Sequence, residues 1–183
     1  MATLFTAYLF ATQALVQKAK NRYKLERISS GRLVTALALT GLGVVIGLTL
    51  GVTSAASLKV ASEWVPSWVL LATLAGVFLT QSQYLLLRYS RYLGMGLLFY
   101  LIMSFVYLSQ AIGTTASLKG FPALLKNTNP LSLIEGQFAT FFDGKGASGF
   151  AYILLFIGAL LFTLANVFLK GKEGQVLEEK NEQ

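Results

Sequence analysis

The chain has 183 residues, of which 55% are hydrophobic and only 13% charged, with a formal net charge of +7 and a mean hydropathy of +0.62. A soluble domain of this size carries roughly a quarter charged residues, so this composition belongs to a chain whose main solvent is lipid. Cys and His are both absent. Disulfides, thiol nucleophiles, thiolate metal sites and imidazole catalysis are therefore excluded together, and the side-chain inventory is too poor for an enzyme.

The first apolar run, about residues 1–20, holds Thr3, Thr6, Thr12 and Gln13 and is followed by Lys18, Lys20, Arg22, Lys24 and Arg27. A secretory signal would place its positive charges before the apolar stretch. Two readings remain, a helix lying in the interface and a full span with its lysines snorkelling. The first sixteen residues carry no charged side chain to form a polar face, which favours the span.

Four further runs are long enough to cross a bilayer, for which about 20 residues suffice. They cover about 33–52, 68–87, 93–112 and 150–169. The expected fold is an all-α integral membrane domain over 1–170 with about five transmembrane helices, followed by a charged tail at 171–183. In the second run Gly43, Gly47 and Gly51 recur every four residues, a spacing that lets two helix backbones approach. No strand precedes them, so a nucleotide-binding loop is excluded. The partner helix belongs either to this chain or to another subunit.

Ionisable groups inside spans are the usual functional flag, and none lies near the centre of these runs. Three amides do fall within them: Gln81, Gln83 and Gln110. Each needs a hydrogen-bond partner away from water, supplied by a neighbouring helix or by the polar wall of a conduit. The lack of a buried carboxylate argues against proton- or sodium-coupled transport by this chain alone.

The segment "FPALLKNTNPLSLIEGQF", Phe121–Phe138, separates the last two spans. Its aliphatic residues form two short amphipathic patterns around a break that ends in Asn129-Pro130. Asn is a good N-cap and Pro a good first helical residue, so a helix should start there. Phe121, Pro122, Asn129, Pro130, Leu133 and Glu135 mark this segment as amphipathic or re-entrant. It either lies half-sunk at the outer surface or dips in where protein covers its backbone.

Orientation follows from the basic residues. Lys18, Lys20, Arg22, Lys24, Arg27, Arg32, Arg88, Arg91, Lys170, Lys172 and Lys180 fall on one side of a five-span chain, whereas Lys59, Lys119, Lys126 and Lys145 fall on the other. The expectation is an outside N-terminus and a cytoplasmic C-terminus in the cell membrane. The positive charge then reports topology, and nucleic acid is not expected as a partner.

The stretches "TQSQYLLLRYSRYLGMGLLFYLIMSFVYLSQ" (80–110) and "GFPALLKNTNPLSLIEGQF" (120–138), with the final span, resemble the C-terminal membrane module of the YhgE/Pip family. That family is related to ABC-type export permeases, and the EsaA-type subunit of type VII secretion machines is similar in architecture. Such proteins usually carry one more span and a large outer domain before this module. The resemblance implies a non-enzymatic membrane subunit of an export or secretion assembly. The alternative is a permease half moving a small hydrophobic substrate with a separate ATPase docked on residues 19–32. No cofactor or metal is implied, and the partners implied are membrane lipid and either a second copy or another membrane subunit.

Overall fold

A computed structural model describes residues 12–14, 16, 29–89, 91–111, 123–124 and 128–169. All the regular structure among them is helical. Five helices follow one another: α1 Ser29–Ser57, α2 Val65–Tyr89, α3 Arg91–Ala111, α4 Pro130–Phe142 and α5 Gly149–Phe168. The expected runs at 33–52, 68–87, 93–112 and 150–169 thus lie within or nearly coincide with α1, α2, α3 and α5. Of the first run only residues 12–14 and 16 are described, as helix. Phe121, Pro122 and the tail 171–183 lie outside the described residues.

Among the described residues, Gly31–Ser57, Val65–Arg88 and Gly149–Phe168 are long and apolar enough to cross a membrane, with mean hydropathies of 2.2, 1.5 and 2.2. In α3 the apolar stretch found among the described residues is Gly94–Ser104. The hydroxyls along these helices are satisfied locally. Thr35, Thr40, Thr49, Thr53, Thr73, Thr80 and Thr163 each donate to the carbonyl four residues back. Back-bonding of this kind lets a Thr occupy an apolar helix without an orphaned donor.

Helices α1 and α2 form a hairpin. Lys59 takes the left-handed conformation (φ 52°), with Val60 N donating to Ala55 O and Lys59 N to Ala56 O. This is the Schellman end of a helix, formed with Lys where Gly is usual. Pro66, second in α2, occupies the first turn, where its missing N–H costs nothing. Within the hairpin the glycines allow close backbone approach: a Cβ built on Gly47 would lie 2.6 Å from Thr73 Cα.

Helix α2 is the hub and packs on α1, α3, α4 and α5. At one end of the bundle lie the turns 58–64 and 143–148, the loop end. At the other, α1 and α3 begin while α2 and α5 finish, with Arg32, Arg88 and Arg91 among the terminal residues; this is the basic end. Trp68, fully buried near the loop end, is ringed edge-on by Phe138, Phe141 and Phe142 of α4, and its indole N–H donates to Ser54 Oγ. Nearer the basic end, Val16 packs with Leu39, Tyr84 and Leu87, so the first run touches both α1 and α2.

Helix α4 is unlike the others. Its 13 residues reach only about 20 Å at 1.5 Å per residue. It starts beside the middle of the bundle: Leu131 clusters with Leu79 of α2 and with Leu98, Leu101 and Ile102 of α3. From there it rises to the loop end, burying Leu131, Ile134, Phe138 and Phe141 on one face. The turn into α5 uses Gly144 and Gly146 at φ 72° and 66°. A Cβ on Gly146 would meet the Trp64 ring at 2.7 Å, so both backbone and space require glycine there.

Candidate functional site: a polar seam between helices

The outside of the bundle is apolar, so the polar contacts inside it determine its arrangement. The largest of these centres on Gln81, which is 0% exposed. Its Nε2 donates to Ala36 O at 2.9 Å and to Thr40 Oγ1 at 2.8 Å, both on α1. Its Oε1 and main-chain oxygen both accept from Asn166 Nδ2 of α5, at 2.8 and 3.0 Å. One amide therefore ties three helices together. Asn166 is itself 1% exposed, and its Oδ1 has no partner among the described residues.

This seam continues to the basic end. Arg88 is only 5% exposed, and its Nη1 donates to Asn166 O at 2.7 Å. Arg32 donates from Nε to the next carbonyl, Val167 O, at 3.0 Å. The last carbonyls of a helix lack intrahelical partners and carry partial negative charge. Here two guanidinium groups from α1 and α2 supply the missing donors and the complementary sign. That contact gives the buried Arg88 a partner of partial negative charge, and no carboxylate meets it among the described residues.

A second contact is built on Asn129, also 0% exposed. Its Oδ1 accepts from Leu131 N at 2.9 Å, the N-cap bond of α4. Its Nδ2 reaches across to α3, donating to Ser104 Oγ at 2.7 Å and to Leu101 O at 3.2 Å. Pro130, the first helical residue, has no N–H to satisfy at this buried end. Ser132, one turn in, is buried with its hydroxyl unpartnered among the described residues.

The remaining sequence candidates distribute as follows. Gly43, Gly47 and Gly51 all face α2, against Val77, Thr73 and Ala72 with Val69 respectively; the helix they approach belongs to the same chain. Gln83 is buried with Oε1 unpartnered among the described residues. The backbone of Gln110 lies in α3, and its side chain is outside the described residues. Leu133 points away from the bundle, 49% exposed, and Glu135 is half-buried.

Several partners in these contacts escape a reading of the sequence, Asn166 and Ser104 among them. Asn166 is a lone amide near the end of the most apolar run, and it is the same signal that singles out Gln81. Ser104 carries no signal, because a serine in a span usually satisfies its own helix. No group of three or more His, Cys, Asp or Glu side chains able to hold a metal is present among the described residues. The arrangement holds helices in register.

Comparison with known proteins gives one clear relation. No curated protein and no solved structure matches the chain. The family of the EsaA helical domain matches residues 1–167, which takes in every helix described above except the last residue of α5. The match covers the Gln81 and Asn166 contacts, the Asn129 cap and the glycine face of α1 alike, and on that extent the chain is a member of the EsaA helical domain family.

Proposed function

We propose that this chain is a non-enzymatic membrane subunit of an export or secretion assembly of the type VII kind. The observation that carries the reading is the family match over 1–167. The apolar exterior and a polar interior spent on helix–helix contacts agree with a structural role. Deletion of the gene should abolish export through that assembly, and the chain extracted in mild detergent should bring other membrane subunits with it. Recovery of a solitary monomer in several mild detergents, with export unchanged in the deletion strain, would sink the proposal.

In this reading the chain crosses the membrane five times, with its N-terminus outside and its C-terminus cytoplasmic. The basic end faces the cytoplasm. The contact of Val16 with Tyr84 and Leu87 supports a first run that ends at the same side as α2. Helix α4 is then a re-entrant half-helix, with Asn129-Pro130 near mid-membrane depth. Non-helical backbone at such depth is tolerated where protein covers it, and the bonds of Asn129 to Ser104 and Leu101 provide cover of that kind.

The broader likeness to YhgE/Pip proteins and ABC-type export permeases makes a different demand, a separate ATPase on residues 19–32. Co-purification therefore discriminates the readings. A nucleotide-hydrolysing subunit bound stoichiometrically and lost on charge reversal of Lys24 and Arg27 favours the permease half.

A further inference from the structure

We propose that Arg32 and Arg88, gathered on the last turn of α5, form a binding site for the phosphate of an anionic membrane lipid. The proposal uses the membrane placement argued above but needs no secretion partner, so its failure leaves that reading untouched.

The argument begins with charge. The two arginines donate to successive carbonyls, Asn166 O and Val167 O, so two cationic groups share one helix end. Among the described residues neither has a carboxylate partner. One helix terminus offers only about half an elementary charge, against the full charges of two guanidinium groups. The two groups are also held differently. Arg88 is buried, with one nitrogen on Asn166 O and its Nε without a partner among the described residues. It acts as a fixed charge behind the surface. Arg32 is half-buried and anchored only through Nε, and its Nη1 and Nη2 make no hydrogen bond among the described residues. A guanidinium fixed at Nε presents its remaining donors as a planar fork, the geometry that grips a phosphate.

The surroundings select a lipid over a free anion. Within about one and a half turns of Arg32, Leu33 and Leu37 are exposed on α1. On α5, Leu164 and Phe168 are exposed at the matching level. A phosphate held by Arg32 would therefore have apolar surface directly beneath it, where acyl chains lie. Basic sites between helices on the cytoplasmic side are suited to anionic headgroups.

The test uses the full-length chain in nanodiscs of phosphatidylcholine with and without phosphatidylglycerol. Native mass spectrometry after mild extraction reads the ratio of the two lipids retained. The wild type should retain phosphatidylglycerol in preference. Arg32→Gln should lower that preference about tenfold, the size expected for loss of a charge-assisted contact. Arg32→Lys, which keeps the charge and loses the fork, should fall between. A ratio is read so that general destabilisation, which affects retention of both lipids, does not mimic the effect. Equal preference in wild type and Arg32→Gln overturns the proposal. So does displacement of the retained lipid by inorganic phosphate alone, which would assign the site to a free anion.

Discussion

Asn166 of α5 donates through one nitrogen to both the side-chain and main-chain oxygens of Gln81 of α2, at 2.8 and 3.0 Å, across 85 positions of sequence. Both side chains are shut away from solvent, so neither has water as an alternative partner.

Removing one member therefore strands the other. Gln81→Leu leaves Asn166 Nδ2 without its side-chain acceptor and Thr40 without its donor. The expected loss is on the order of 1–3 kcal/mol, the cost of a buried group left unsatisfied. Interhelical hydrogen bonds in membranes are individually modest, about 0.6–1.7 kcal/mol. The double variant Gln81→Leu/Asn166→Leu should then be less damaged than the sum of the singles. Thermal unfolding in detergent of the four proteins gives the coupling; strict additivity would mean the two amides act independently.

The glycine face of α1 gives a sharper contrast. Gly47→Leu places a branched side chain against the α2 backbone at Thr73 and Ala72, which cannot move aside as a side-chain tip could. A loss at or above the roughly 1–3 kcal/mol usual for overpacking is expected. Gly41, two residues before Gly43, has open space around it: a Cβ there would meet nothing within 4 Å. Gly41→Leu should be neutral or mildly stabilising, since Leu is the better helix former. Equal damage at both positions would show that another subunit covers Gly41.

For α4 the positions rank by what they touch. Leu131→Asp would place a charge in the apolar cluster with Leu79 and Leu101 and should be the most harmful. Asn129→Ala should follow. It loses a cap worth about 0.5–2 kcal/mol and also leaves Ser104 Oγ and Leu101 O without their cross-helix donor. Leu133→Asp, on the exposed face, reports on lipid or a partner alone, and Pro130→Ala should be the mildest. Folding yield and protease resistance in membranes give the order. If Leu131→Asp is tolerated, the start of α4 does not pack on α2 and α3 in the membrane.

Topology is directly measurable because the native chain has no Cys. A cysteine at Ser57 or Lys145, both at the loop end, should react with an impermeant thiol reagent added to intact cells. A cysteine at Ser29 should not. Labelling at Ser29 from outside would reverse the proposed orientation.

The course of the chain is legible where one-dimensional hydropathy governs it. The four later runs stand at α1, α2, α3 and α5, and Asn129-Pro130 marks the start of α4 because capping is a local property. What each helix touches is less legible. Gly43, Gly47 and Gly51 announce a close contact but do not say with which helix. The arginines at 32 and 88 read as topology signals, and nothing local shows that both close the end of a helix whose accepting carbonyl lies 78 residues beyond Arg88. Asn129 is readable as a cap through its Oδ1, whereas its Nδ2 bonds depend on α3 having been placed beside it.

That last dependence carries a consequence for biosynthesis. Residues emerge from the ribosome in order, so α3 with Ser104 and the Leu101 carbonyl is available before Asn129 is made. The start of α4 acquires its partners only by meeting a surface already assembled from α2 and α3. Its 13 residues are too few to hold a position across the bilayer alone, and α5 follows directly after the turn 143–148. On the re-entrant placement proposed above, the last two helices enter as a single hairpin, with α5 as the anchor and α4 templated on the finished part of the bundle. A nascent chain arrested before α5 has emerged should leave residues 130–142 open to protease, and release of α5 should close them off.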